Sequence, residues 1–261
     1  MNDAQVGKAA GILWRRWQEG TRLDQLPAEV RPATRAEGYA IQAHWERRSA
    51  FPLFGWKIAA TSEAGQRHIN VDEPLAGRLL AERLLEDGAT VSLANSLMRV
   101  AEVELAFRLG TDLRSRAQPY RIDEVMAAVT TLHPAIEIPD SRYYDFCSVG
   151  APQLIADNAC AHLFMLGPPV NVPWRHLDLA AHEVSAVVTG KSQHVAKGSN
   201  VLGDPRIALT WIANELSGLG LGLATGQVVT TGTCVVPVNV VPGDRFVANY
   251  GAFGRLAVVF T

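Results

Sequence analysis

The segment from Val100 to Gly110 restricts the fold of this chain more than any other, because apolar and polar residues alternate along it. Successive side chains of a β-strand point to opposite faces, so this alternation predicts a strand with one face in the core. Glu102 and Glu104 share the polar face, about 6.5–7 Å apart along the strand. Two flexible carboxylates at that spacing can converge on one divalent cation. The alternative is the solvated face of an amphipathic strand, which is the common meaning of an isolated Glu-x-Glu pair.

The pattern of the chain changes near Phe54. Before it, apolar residues recur at helical spacing, and Thr34 with Glu37 has the pattern of a capping box that begins a helix. After it, short apolar or alternating runs are separated by Gly, Pro and Asp, which is typical of strands and turns. We therefore divide the chain into a helical N-terminal part, residues 1–53, and a larger part rich in strands, residues 54–261.

Two strands of the larger part carry further charged residues. Gly55–Ala59 is a predicted strand in which Lys57 points away from its two large apolar neighbours. A predicted helix from Asp123 to about Leu132 leads into a short predicted strand, Ala135–Ile138, which carries Glu137. The period of each strand assigns a face to these residues, but does not say which strands pair.

Composition excludes several classes of protein. The 261 residues include 24 Lys and Arg against 26 Asp and Glu, without a dense basic run, so we expect no nucleic-acid partner. The three cysteines show no C-x-x-C spacing, which argues against a disulfide framework or zinc site and fits a reducing compartment. No apolar run approaches the ~18–20 residues that cross a bilayer, and the N-terminus lacks a signal-peptide pattern. We expect a cytoplasmic protein with no membrane partner.

Seven separated motifs follow one another along the chain. They are Gly55-Trp-Lys-Ile-Ala-Ala-Thr61, Asp72-Glu-Pro74, Glu102-Val-Glu104, Pro134-Ala-Ile-Glu-Ile-Pro-Asp-Ser-Arg142, Asp157-Asn158, Leu202-Gly203-x-Pro205 and Thr225-Gly-Gln-Val-Val-Thr-Thr-Gly232. In this order and spacing the chain resembles the fumarylacetoacetate hydrolase-like superfamily. The closer resemblance is to its hydratase/decarboxylase branch, typified by 2-keto-4-pentenoate hydratase and 4-oxalocrotonate decarboxylase. It implies an α+β fold, with a mostly-β, roll-like catalytic domain and a small helical N-terminal part.

The resemblance also implies a metal site. Glu102 and Glu104 match two ligands of a Mg²⁺ or Mn²⁺ ion, and Glu137 occupies the position of the third carboxylate. Hard oxygen ligands of this kind suit both ions. The hydrolase branch typically has Asp at the third position, so Glu137 favours the hydratase/decarboxylase branch.

Roles for three residues near the metal follow from the same resemblance. Lys57 matches the lysine of the G-[YW]-K-I segment and is expected to bind the substrate carboxylate, stabilise an enolate or transfer a proton. A lysine at a strand edge in water is the alternative. Asp72 and Glu73 match a polar loop near the pocket and are, with Lys57, candidates for the general base. A capping or surface role is equally open for both.

Four further residues are expected to bind substrate, again on the resemblance: Asp157, Asn158, Thr231 and Gly232. A plain turn is the alternative for the Thr-Gly pair. Cys160 is expected to be a buried small residue and not a nucleophile. Arg142 either pairs with Asp140 or reaches a distal carboxylate of the substrate, and the sequence leaves both open.

The function implied is hydration of a small 2-hydroxy-2,4-dienoic (2-keto-4-enoic) acid in the degradation of aromatic compounds, with a divalent metal ion. The alternatives are a 4-oxalocrotonate-type 2-oxo acid decarboxylase, an acylpyruvate-type hydrolase, which Glu137 disfavours, and an inactive structural partner of a pathway enzyme. The metal ligands alone do not separate hydratase from decarboxylase, because both reactions use the same electron sink. We also expect a homo-oligomer, from the family tendency and the many apolar positions.

Overall fold

The computed structural model describes all 261 residues and contains six α-helices. They are α1 Asp3–Glu19, α2 Arg35–Arg48, α3 Glu63–His68, α4 Ile122–Ala128, α5 Ala151–Ala156 and α6 Pro205–Gly218. The predicted capping box is present at α2, where Thr34 accepts a hydrogen bond from the Glu37 N–H and Glu37 reaches back to the cap. No helix combines the length and the apolar character needed to cross a membrane.

Thirteen β-strands form two sheets. They are β1 Leu53–Ala59, β2 Leu75–Leu80, β3 Leu84–Leu85, β4 Thr90–Val91, β5 Val100–Leu109, β6 Val129–Ile138, β7 Leu163–Leu166, β8 Glu183–Val188, β9 Ser192–Lys197, β10 Val228–Thr233, β11 Val238–Asn239, β12 Arg245–Asn249 and β13 Arg255–Phe260. The larger sheet has the order β2-β1-β10-β5-β6-β7-β3, with β11 beside β5, and the smaller has the order β4-β13-β12-β8-β9. The predicted α+β fold with a mostly-β larger part is confirmed.

The alternating segment is β5, a ten-residue strand between β10 and β6 in the larger sheet. Its apolar face is completely buried, as the alternation predicts: Ala101, Val103, Leu105, Phe107 and Leu109. The opposite face is not a solvated surface, because Glu104 on that face is also fully buried. A solvated amphipathic strand is therefore the wrong interpretation of this segment, and its carboxylates require another explanation.

One predicted boundary is wrong. The helix expected from Asp123 to about Leu132 ends at Ala128, and β6 begins at Val129, well before the predicted strand start at Ala135. Three β-branched residues, Val129-Thr-Thr131, follow Ala128, and such side chains lose rotamer freedom in a helix and pack well in a strand. The added length of β6 lets it pair with almost the whole of β5.

The helical N-terminal part packs on the larger sheet through a continuous core. One cluster of 61 buried residues includes Trp17 of α1 and Trp45 of α2 together with residues of the central strands. The buried Gln42 of α2 donates hydrogen bonds to the carbonyl oxygens of Ala76 in β2 and Ile155 in α5, at 2.7 and 2.9 Å. The division into residues 1–53 and 54–261 stays a prediction, since the two parts share this core.

His162 lies against the N-terminal helices. The Trp17 indole donates a hydrogen bond to His162 Nδ1 at 2.8 Å, which requires that nitrogen to be unprotonated. Burial, together with the positive charges of Arg142, Arg83 and Arg22, lowers the pKa of His162 to about 3. Folding therefore holds this imidazole neutral at pH values where an unfolded chain protonates it.

We predict an acid-sensitive stability that depends on His162. The unfolded state takes up its proton near pH 6.5 and the folded state only near pH 3, so stability is lost as the pH falls below 6.5. From pH 7 to 4.5 the loss due to this group is about 2–3 kcal/mol. His162→Asn keeps an acceptor for Trp17 without a titrating group. Urea unfolding of both proteins at each pH measures the difference, and an unchanged difference between pH 7 and 4.5 would contradict the prediction.

Candidate metal centre

Three glutamates meet on one face of the larger sheet. Glu102 and Glu104 lie on β5, and Glu137 lies on β6 directly opposite Glu102 in the strand register. One carboxylate oxygen from each lies within 4.8 Å of those from the other two. Glu104 and Glu137 are fully buried and Glu102 is half-buried. Like charges directly opposite each other destabilise a sheet, so this cluster needs a compensating positive charge.

Two buried carboxylate oxygens of the cluster have no hydrogen-bond or ion-pair partner in the protein and could therefore bind a cation. Glu104 Oε2 accepts hydrogen bonds from the Thr230 hydroxyl and from the Gly232 N–H, the latter at 3.1 Å. Its other oxygen, Oε1, is buried without a hydrogen-bond partner, and so is Glu137 Oε2. A buried polar atom without a partner is costly, and a hard divalent cation would bind such oxygens. The residues present therefore fit a divalent metal ion.

The electrostatics of the three carboxyl groups agree with this fit. Burial, followed by the negative charge of Glu137, raises the pKa of Glu102 to about 7. Burial and the neighbouring carboxylates also raise the pKa of Glu104 well above its usual range, and burial raises that of Glu137. Each carboxyl group is thus destabilised in its charged form by its surroundings. A bound cation reverses that effect, so protons and metal ions compete for the same oxygens.

Lys57 is the one cationic side chain among these carboxylates. It lies on β1 between Trp56 and Ile58, which are both buried in the core, as the period of the strand predicts. Its ammonium lies 3.0 Å from Glu137 Oε1 and donates a hydrogen bond to the Ala159 carbonyl at 3.1 Å. Burial acts to lower the pKa of Lys57, but the negative charge of the glutamates outweighs it and raises that pKa above its ordinary value. A strand-edge lysine in water is therefore excluded.

An irregularity in β10 brings Gly232 to Glu104. The register between β10 and β5 shifts between Thr230 and Thr233, as at a β-bulge. Gly232 has a φ of 99°, and a Cβ there would lie 2.1 Å from Thr61 Oγ1, so only glycine fits. Thr230, whose hydroxyl donates a hydrogen bond to Glu104, is not among the site residues predicted from the sequence. Only the pairing of β10 with β5 reveals that contact.

The Thr231 hydroxyl is used within the sheet. It donates a hydrogen bond to the Leu105 carbonyl at 2.9 Å, and the residue is fully buried. The structure therefore ties this predicted substrate-binding residue to β5. Gly232, its neighbour, contributes its N–H to Glu104 and not to an open cavity.

Asp157 and Asn158 also contact the protein with their polar atoms. Asp157 accepts hydrogen bonds from the Ser141 hydroxyl at 2.8 Å and from the Arg142 N–H at 3.0 Å, and it pairs with the Arg142 guanidinium. Asn158 accepts from the N–H of Arg78 at 2.6 Å and donates to the carbonyl of Arg78 at 2.8 Å. Both side chains are buried. Every polar atom of these two side chains has a protein partner. Their contact with substrate stays a prediction.

Arg142 follows neither alternative that the sequence left open. Its side chain is completely buried and paired with Asp157, while Asp140 pairs with Arg22. Arg142 also donates to backbone carbonyls of Ala161 and Asp157. With these partners its guanidinium is not free for a distal carboxylate.

The loop of Asp72 and Glu73 lies outside the carboxylate cluster. Both side chains are exposed, in the connection between α3 and β2. Glu73 lies 3.9 Å from an Arg35 nitrogen, a loose surface pair. Cys160, by contrast, is buried as predicted, and burial raises the pKa of its thiol to about 12, so it stays protonated.

Comparison with known proteins identifies the class to which this fold and site belong. Residues 58–261 match the family described as Fumarylacetoacetate (FAA) hydrolase C-terminal, and the chain belongs to this family. The chain is 34% identical over 267 residues to the 2-hydroxyhexa-2,4-dienoate hydratase of Comamonas testosteroni, with all of both chains covered. It is 30% identical over 263 residues to the 2-keto-4-pentenoate hydratase of Paraburkholderia xenovorans, covering 100% of this chain and 96% of that one. The predicted family membership is confirmed.

Solved structures show the same fold. The 4-oxalocrotonate decarboxylase from Pseudomonas putida G7, complexed with magnesium and adipate, superposes with a TM-score of 0.91 at 24% identity. The match covers 100% of this chain and 99% of that chain. The same enzyme complexed with calcium and acetate gives a TM-score of 0.89. At this identity the likeness concerns the fold.

We predict that Glu104→Gln removes the response to metal without unfolding the protein. The amide oxygen can replace Oε2 as acceptor, while the amide NH₂ replaces the free oxygen and removes one buried charge. Thermal unfolding without metal should then occur at an unchanged or higher temperature. Mg²⁺ at about 100 times its Kd stabilises the wild type by about 2.7 kcal/mol and should not stabilise the variant. The exposed Glu63→Gln serves as control and should keep the full Mg²⁺ response; a Mg²⁺-stabilised Glu104→Gln would contradict the prediction.

Proposed function

We propose that this protein is a divalent-metal-dependent hydratase acting on a small 2-hydroxy-2,4-dienoic (2-keto-4-enoic) acid in the degradation of aromatic compounds. The observation that carries the proposal is the buried cluster of three carboxylates with a lysine ammonium 3.0 Å from one of them. The relatives that align over the whole chain are hydratases of such acids by name. This combination of site and relatives supports a hydro-lyase.

The proposed ion is Mg²⁺ or Mn²⁺, held by Glu102, Glu104 and Glu137. The donor set consists of carboxylate oxygens alone, without the imidazole or thiolate that would favour zinc or copper. When bound, the ion supplies Lewis-acid stabilisation of the negative charge that develops on the 2-oxo group of the substrate. Thr230 and Gly232 hold Glu104 in its orientation, as hydrogen-bond donors to the ligands do in other metal sites.

The protonated state of Lys57 favours one of its predicted roles. An ammonium has three N–H donors. The carbonyl of Ala159 and the carboxylate of Glu137 accept two of them. The third N–H remains for a substrate oxygen. Since the carboxylates raise the pKa of Lys57, the residue acts as a hydrogen-bond donor and positive charge, and not as the general base.

Asp72 and Glu73 are the proposed general bases. Of the other acidic residues in the predicted site, three hold the cation and Asp157 is paired with Arg142. The loop of Asp72 and Glu73 leads directly into β2, whose Gly77 lies opposite Lys57 in the strand register. Both side chains are exposed, so we propose that the loop approaches the site when substrate binds.

The buried ion pair between Arg142 and Asp157 bears on the choice between hydratase and decarboxylase. A 4-oxalocrotonate-type substrate carries a second carboxylate, which would need a cationic or donor partner at its far end. Arg142, for which the sequence left that role open, is buried and paired with Asp157. The structure therefore favours a substrate with one carboxylate.

The test is a spectrophotometric assay with 2-hydroxypenta-2,4-dienoate and with 4-oxalocrotonate, each with Mg²⁺, Mn²⁺ or a chelator. We expect metal-dependent consumption of the first substrate, and none with the chelator. Faster turnover of 4-oxalocrotonate with release of CO₂ would instead identify a decarboxylase. No metal-dependent turnover of either would overturn the proposal and favour an inactive structural partner of a pathway enzyme.

We predict that Lys57→Met lowers kcat/KM by about 10²-fold or more, a loss of about 2.7 kcal/mol in transition-state binding. Methionine keeps much of the packing of the buried stem and removes the ammonium beside Glu137. Steady-state kinetics of the variant measure the loss. Lys8→Met, which removes an exposed ammonium, is the control and should keep wild-type kinetics. Near wild-type turnover by Lys57→Met would show that its charge has no part in the reaction.

We also propose that the protein is a homo-oligomer in the cytoplasm with a pathway enzyme as a partner. Size-exclusion chromatography with light scattering at micromolar concentration measures the oligomeric state. We expect the mass of two or more chains of 28.2 kDa. A stable monomer under these conditions would contradict the prediction.

A further inference from the structure

We propose that Asn158 is a positioning residue for Lys57, acting through the carbonyl group of Ala159. This inference rests on the proposed role of Lys57 in catalysis. It assigns to Asn158 a task that needs no contact with substrate, which agrees with the complete engagement of its side chain by the protein.

The side chain of Asn158 fastens its own segment to β2. Its oxygen accepts a hydrogen bond from the N–H of Arg78 at 2.6 Å, and its nitrogen donates one to the carbonyl of the same residue at 2.8 Å. One amide thereby pairs with both backbone groups of a strand residue, as a neighbouring strand would. Since β2 lies next to β1 in the sheet, the segment is held beside Lys57.

The segment is fastened in an unfavourable backbone conformation. Asn158, Ala159 and Cys160 have φ values of 57°, 49° and 61°, three successive residues in the left-handed region. Asn enters this region more readily than most residues, whereas Ala and Cys pay a steric cost there. Such a conformation persists only where its surroundings hold it, and it is concentrated at functional sites. The two hydrogen bonds of Asn158 are a restraint of this kind.

The consequence of this conformation is the direction of one carbonyl group. The Ala159 oxygen points at the ammonium of Lys57 and accepts its hydrogen bond at 3.1 Å. Gly77 of β2, opposite Lys57 in the strand register, lies against both the turn and the lysine stem. A Cβ on Gly77 would lie 2.5 Å from the Asn158 carbonyl oxygen and 3.0 Å from Lys57 Cγ, so turn, strand and stem are in close contact. The stem of Lys57 therefore has little freedom.

The Ala159 carbonyl is the uncharged partner of the Lys57 ammonium in a site that is otherwise negatively charged. The three glutamates attract the Lys57 ammonium, which forms its one ion pair with Glu137. The Ala159 carbonyl accepts another N–H of the ammonium, and the two fixed contacts together orient the remaining N–H. If the turn relaxed, the ammonium would lose that orientation while the metal ligands stayed in place.

The first test does not depend on enzymatic activity. The chain has four lysines, and Lys57 is the buried one, whereas Lys8, Lys191 and Lys197 are exposed and serve as internal standards. We expect Asn158→Ala to raise the rate of reductive methylation of Lys57 by about 10-fold or more, measured by peptide mass spectrometry, because the turn opens locally. An unchanged rate in a folded variant would overturn the proposal.

The matched control is Gln42→Ala. Gln42 is another buried amide that fastens β2, through the carbonyl of Ala76 and the guanidinium of Arg78, but it forms no hydrogen bond with the turn at Ala159. It should destabilise the protein without changing the methylation rate of Lys57; an equal rise in both variants would show a general loosening and overturn the proposal. Should Asn158→Ala fail to fold, Asn158→Asp keeps the acceptor for the Arg78 N–H and loses the donor, and the same comparison applies to it.

The second test is a double-mutant cycle on the kinetics. Asn158→Ala should lower kcat by about 10-fold or more with little change in KM, and should cause no further loss in the Lys57→Met background. Additive losses would show that Asn158 acts independently of Lys57 and would overturn the proposal. If the wild type itself shows no turnover, the proposed function fails, and the methylation test still decides the role of Asn158.

Discussion

The meeting of three carboxylates, two of them fully buried, with a single ammonium is the interaction on which the rest of this structure depends. Glu102 and Glu137 face each other across two strands in the interior of the protein, an arrangement that costs stability unless a positive charge offsets it. Lys57 offsets one charge of three. The remaining negative charge, with buried oxygens that lack partners, is the physical reason to assign a divalent cation to the site.

The backbone of the larger sheet holds this arrangement in place. Four neighbouring strands supply the groups, because β1 carries the lysine, β5 and β6 carry the glutamates, and β10 carries the donors to Glu104. Groups on adjacent strands are positioned more accurately than groups on loops. The two irregular features, the bulge at Gly232 and the left-handed turn at Ala159, each direct one backbone polar group at a charged side chain.

The helical N-terminal part reaches the site indirectly. Trp45 of α2 stacks on Arg142, with the guanidinium carbon 5.0 Å from the ring centroid, and Arg142 pairs with Asp157. Asp157 directly precedes the turn at Asn158. The packing of α2 on Arg142 therefore supports, through Asp157, the turn whose Ala159 carbonyl binds Lys57. Both partners of this ion pair are completely enclosed, so removing one of them would leave a buried charge without a partner and strongly destabilise the protein. Because it is enclosed in this way, the Arg142 guanidinium is not free to bind a carboxylate of the substrate.

Local sequence patterns alone predicted the side-chain directions of the main site residues on their strands. The period of β5 put Glu102 and Glu104 on one face, and the period of β1 put Lys57 on the face opposite Trp56 and Ile58, because side chains alternate between the two faces of a strand. Glu137 came from the family resemblance, and only the register of β6 against β5 placed it opposite Glu102. The hydroxyl of Thr230 on Glu104, the engagement of Asp157 and Asn158, and the exposed loop of Asp72 were decided by the tertiary structure. Strand pairing and burial join residues distant in the chain, and no local pattern contains that information.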